Sequence, residues 1–154
     1  MAIIHSYPCT LLDGQEEKIT ISTGPVIIDT SGEKILLHIS TTTGRYQFIG
    51  WRLDDTISLR ENALMRAQEV IGTTMIKLDQ AEPLILMGKI DREWREENIL
   101  LIHYLASITD ETQIGDAAWF TMEEIMLLDA ENKTSSENIR IASEYFLRKI
   151  HHNE

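Results

Sequence analysis

Beyond residue 50 three tetrads of one kind punctuate the chain: Ser58-x-x-Glu61, Thr121-x-x-Glu124 and Thr134-x-x-Glu137. A hydroxyl that accepts from the backbone three residues on, with a glutamate placed to answer it, satisfies donors that a helix start leaves unpaired. The tetrads therefore predict helices over 58–71, from 121 to about 128, and from 134 towards the C-terminus. The segments between them read as strands: Pro25–Asp29, Ile35–Ile39, Tyr46–Ile49, Leu84–Ile90, Ile99–Ile108 and Ala117–Phe120. Residues 2–4 and 17–22 form an expected N-terminal hairpin across Asp13-Gly14, a favoured turn pair. Strands and helices interleave without a repeat, which predicts an α+β chain with a mixed central sheet between helices rather than a parallel doubly wound one.

Each predicted helix has one apolar face. Leu59, Ala63, Ala67, Val70 and Ile71 share a side of the first, and Ile139, Ala142, Tyr145, Phe146 and Ile150 share a side of the last. Asp91 to Asn98 is too charged to bury and reads as an exposed hairpin tip. Trp94 within it is an expected contact with a second copy, which predicts a homodimer. Trp119 and Phe120 are assigned to the core. Of the five histidines, His5 and His38 read as strand residues, His103 as a core histidine with its polar atoms satisfied, and His151-His152 as a frayed end.

A chain of 154 residues with 43% hydrophobic content suits a single domain over 1–154. Its net charge of -11 argues against long nucleic acid, whose binding relies on clustered Lys and Arg. A small nucleotide is not excluded, because a local pocket can hold phosphates against the global field. No apolar run approaches the roughly 20 residues of a membrane span, and Met1 to His5 turns polar too early for a signal peptide. A cytoplasmic protein without a membrane partner is expected. Cys9 has no second cysteine to pair with, so any metal chemistry would use oxygen ligands.

The stretch from Gly50 to Gly72, GWRLDDTISLRENALMRAQEVIG, resembles the Nudix box, a loop-helix that holds magnesium through glutamates. Gly72 stands on its closing glycine, Glu69 on one helix glutamate, and Gly50 on the extra glycine that often precedes the box. Trp51 replaces the box's first glycine and Ile57 its loop glutamate. Met65 and Arg66 replace its Arg-Glu pair, Val70 its last glutamate, and Ala67 and Thr73 its aliphatic positions. Gly24 to Ile39 resembles the family's opening hairpin, and Asp116-Ala-Ala-Trp-Phe-Thr-Met-Glu-Glu-Ile a late strand and helix. The resemblance spans about residues 20–150 and implies a Nudix-like α/β/α sandwich.

In that family water attacks a nucleoside diphosphate derivative while box glutamates hold magnesium. The metal needs hard oxygen ligands, and the phosphoryl charge needs electrostatic stabilisation. Arg66, three residues before Glu69, opposes this, since two like charges at roughly 4 Å cost several kcal/mol at a moderate dielectric. The resemblance thus implies a degenerate box that binds a nucleotide or related phosphate compound with weak or no hydrolysis. Arg66 and Arg52 are its expected phosphate contacts, and Trp51 and Tyr46 its stacking surfaces. The alternative is a divergent magnesium-dependent hydrolase in which Glu69 is joined by Asp110 and Glu111 as metal ligands, with Glu111 as catalytic base. A third reading is a dimeric interaction module built on Trp94.

Overall fold

The computed structural model describes residues 7–10, 16–72, 75–92 and 95–152. Its strands are β1 (Tyr7–Thr10), β2 (Glu16–Ile27), β3 (Lys34–Ile39), β4 (Tyr46–Gln47), β5 (Trp51–Arg52), β6 (Ile76–Leu78), β7 (Leu84–Arg92), β8 (Arg95–Ile108) and β9 (Ala118–Thr121), and its helices α1 (Leu59–Ile71), α2 (Met122–Ala130) and α3 (Asn138–His152). The larger sheet runs β1-β2-β8-β6, with β5 added to β2 and β7 to β8. Strands β2 and β8 are parallel, from Ile19 beside Asn98 to Ile27 beside Ala106, and the other pairings are antiparallel. A smaller antiparallel sheet runs β4-β3-β9. The mixed sheet between helices is the architecture that the interleaved pattern predicts.

Alternation along the strands divides the core in two. Ile27, Leu36, Ile49, Ile102, Tyr104, Ala106 and Ile108 pack with Ala63, Ala67 and Ile71 of α1. Their neighbours Val26, Ile28, Ile35, Leu37 and Phe48 point the other way, onto Ile125 of α2 and Ile139, Ala142, Phe146 and Leu147 of α3. Period-two strands thus present one apolar face to α1 and the other to α3. Trp119 packs against the first cluster and Phe120 against the second, as assigned from sequence.

Several expectations need correction. The hairpin read over 24–39 closes only at the Ile28–Ile35 bridge, after which β2 joins the large sheet and β3 the small one. The charged segment after Ile90 is not all loop: the β7–β8 ladder continues to Asp91 beside Glu96 and Arg92 beside Arg95. Trp94, residues 2–4 and His5 lie outside the described residues. Strand β6 was not foreseen, for it carries only Ile76 and Leu78 as buried apolar residues.

The third cap is also relocated. Thr134 is buried, and its hydroxyl meets Asp129 Oδ1 and the Ser136 carbonyl oxygen, so α3 starts at Asn138. Tyr145 is exposed on α3, and Leu59 at the first turn of α1. The end of α3 is not frayed: the helix includes His152, and His151 Nε2 lies 3.1 Å from the Gly32 carbonyl oxygen. No helix among the described residues is long and apolar enough to cross a membrane.

Candidate functional site

Helix α1 is held at both ends. Ser58 accepts from the Glu61 amide, and Gly72 closes the helix at φ 66°, a left-handed conformation that glycine adopts without a Cβ penalty. The preceding loop is clipped to it by buried Asn62. Its Oδ1 accepts from the Asp54 amide at 2.8 Å, while its Nδ2 donates to the Asp54 and Ser58 carbonyls, both at 2.8 Å. The Asp54 carboxylate accepts from the Thr56 hydroxyl and amide, which hold its pKa below the ordinary value. Asp54 therefore serves the turn, and Asp55 is exposed.

On the outer side of α1, Arg66 Nη1 donates to Glu69 Oε2 at 3.2 Å across side chains 39% and 57% exposed. The late loop reaches the end of this helix: Gly115, at φ 58°, lies so close to it that an added Cβ would fall 2.8 Å from the Val70 carbonyl oxygen. Its acids turn elsewhere. Asp110 accepts from the hydroxyl and amide of Thr112, which lower its pKa, and Glu111 Oε1 accepts from the Thr30 amide.

The opposite face of the large sheet holds a cavity of about 230 Å³ beside the start of α3. Ile99, Leu101 and His103 of β8 line its sheet side, and Gln47, Phe48 and Ile49 a second wall. Ser135, Ser136, Asn138 and Ile139 complete it from the α3 side. Glycines let its walls approach one another closely. Gly24 is level with His103 in the parallel ladder, and a Cβ there would fall 2.3 Å from the Ile49 carbonyl oxygen. Gly88 of β7 lets Asn138 approach, its would-be Cβ lying 2.9 Å from Asn138 Nδ2. Among the described residues lining the cavity, none is Asp, Glu, Lys or Arg.

His103 departs from its reading as a satisfied core residue. It is 6% exposed, neither ring nitrogen has a hydrogen-bond partner among the described residues, and burial lowers its pKa to about 4. Phe48 meets the ring edge-to-face at 5.0 Å. On the cavity's flank, His38 Nε2 lies 3.5 Å from Gln47 Nε2. Burial holds the His38 pKa below the ordinary value, a hydrogen bond with the Phe48 backbone opposes this, and the Arg66 charge adds to the lowering.

No family model matches the sequence, and no curated protein matches it. Solved structures do match. The dihydroneopterin triphosphate pyrophosphohydrolase of E. coli superposes with a TM-score of 0.65 at 14% identity, covering 84% of this chain and 95% of that one. The Ap4A hydrolase of C. elegans does so at 0.61 and 14%, covering 87% and 97%. A MutT Nudix hydrolase from Burkholderia pseudomallei gives 0.59 and 19%, covering 83% and 98%.

The chain has the Nudix fold.

Within that fold, the residues of the altered Nudix box do not fit a bound magnesium. The helix positions that the resemblance marks for ligands carry Arg66, Glu69 and Val70, and Glu69 is paired with Arg66. Asp110 and Glu111 are engaged with Thr112 and Thr30. Among the described residues, no three His, Cys, Asp or Glu side chains gather as a metal cluster.

The other residues singled out from sequence are dispersed about the Nudix scaffold. Tyr46 packs edge-to-face on Phe120 at 5.0 Å. Trp51 and Arg52 pair through their backbones with Thr23 and Ser22, and the Trp51 side chain lies outside the described part. Gly24, Ser136 and Asn138 were not foreseen as site residues. A glycine just before Pro25 in a strand was the available signal, since it marks a close backbone approach.

Proposed function

We propose that this chain binds a nucleotide or related phosphate compound, with its uncharged part in the cavity and its phosphates towards Arg66 and Arg52, and with weak or no metal-dependent hydrolysis. The observation carrying this reading is the Arg66–Glu69 pair, which puts a permanent cation where a Nudix box holds its metal. Arginine's planar fork can grip phosphate oxygens directly, so losing the ion need not lose the ligand. The structural neighbours support the ligand class: two are named for phosphate-bearing compounds, Ap4A and dihydroneopterin triphosphate.

The test combines calorimetry with a hydrolysis screen over nucleoside di- and triphosphates and their conjugates. Magnesium-independent binding is expected, weakened about tenfold in Arg66→Ala, as for loss of a charge-assisted contact of about 1.5 kcal/mol or more. Rapid magnesium-dependent hydrolysis abolished by Glu69→Gln would overturn the proposal in favour of the divergent hydrolase.

A further inference from the structure

Among the described residues, every one lining the cavity is neutral, yet one of them is buried and polar with no hydrogen-bond partner. An orphaned buried donor or acceptor costs about 1–3 kcal/mol, so the two unpartnered nitrogens of His103 make its place among Ile99, Leu101 and Phe48 an expensive one. A leucine or phenylalanine there would carry no such penalty.

We propose that His103 is the specificity-determining residue of this cavity, and that the group it recognises is an uncharged planar heterocycle with a hydrogen-bonding edge rather than a phosphate. The inference rests on the ligand-binding reading above and adds which part of the ligand enters and what reads it. Three observations support it. At about 230 Å³ the cavity is smaller than the roughly 300 Å³ at which sites for whole small molecules begin, so it suits one part of a ligand. With no charged residue in its described lining, it offers a phosphate no counter-charge there to offset desolvation. The two nitrogens of a neutral imidazole, one donor and one acceptor, point in diverging directions, so one of them at a time can bond the edge of a ring that offers the matching group. The apolar residues on either side of His103 contact the faces of such a ring, and its edge meets one of the orphaned nitrogens. Polar rejection is then sharp, because a ligand lacking the matching group leaves the histidine unpaired.

The experiment follows the side-chain nitrogen NMR resonances of His103 in the unaltered protein during titration with adenosine, guanosine, cytidine and uridine, and separately with inorganic pyrophosphate. At least one nucleoside should shift the His103 resonances, and pyrophosphate should not. Affinity for that nucleoside should fall about tenfold or more in His103→Phe and less in His103→Gln, which retains a donor and an acceptor and serves if the phenylalanine variant does not fold. If nucleotides bind but the His103 resonances stay in place, or His103→Phe binds the nucleoside unchanged, this inference falls while the ligand-binding reading stands. A His103 shift caused by pyrophosphate alone would likewise overturn it. If nucleosides, nucleotides and pyrophosphate all fail to bind at millimolar concentration, both readings fall.

Discussion

Burial keeps His103 neutral down to a pKa of about 4, against 6.5 when solvated. The unfolded chain therefore takes up this proton first, so stability from the neutral ring is fully present above about pH 6.5 and is lost as pH falls towards 4. The difference corresponds to roughly 3 kcal/mol. Urea unfolding of the native protein and His103→Phe across that window should show this slope only in the native protein. Asp54 and Asp110, held below the ordinary carboxylate range first by threonine hydroxyls and then by backbone amides, add their own loss lower down, as pH falls through their lowered pKa values. The Arg66–Glu69 pair is different in kind. It is exposed enough that its effect on stability stays below about 1 kcal/mol, and its importance lies in what it does to the box.

At the scale of elements, the box loop and α1 behave as one piece because Asn62 ties them together. Its amide satisfies the backbone of Asp54 on both sides while buried at 3% exposure. Asn62→Ala should therefore cost about 2–4 kcal/mol, measured as a fall in the denaturation midpoint with the slope unchanged. The nearby exposed change Glu61→Gln should cost less than about 0.5 kcal/mol. Two of the three caps were legible because capping is a contact between neighbours in the chain: Ser58 and Thr121 accept from the amides three residues on, and Thr121 with Glu124 makes the full reciprocal box. Thr134 carries the same signal and does something else. Its hydroxyl is claimed by Asp129 across the turn from α2, and its backbone bridges Tyr46. A local motif yields when a longer-range partner competes for the same hydroxyl.

For the whole molecule, the large sheet divides two cores, and the cavity belongs to the one under α3. Phe146 is fully buried there, and Phe146→Ala should destabilise the protein by about 3–5 kcal/mol. Because α3 also walls the cavity, ligand affinity should fall with it, which calorimetry well below the variant's melting temperature would detect. Periodicities of two and 3.6 and the glycine that ends α1 could be read from residues close together in the chain. By itself, then, the sequence determined most of the strands and helices and the mixed arrangement they build. Tertiary structure alone decided that β2 lies parallel to β8, so that Thr23 donates to the Ile102 carbonyl oxygen 79 residues away. It also decided that β2 and β3 part into two sheets, that Glu111 turns to Thr30, and that His103 lies beside Gly24 with no bonding partner among the described residues. The physical reason is one of range: propensity and capping act between neighbours along the chain, whereas a cavity and an unpaired nitrogen exist only where packing brings distant segments close without filling the space between them.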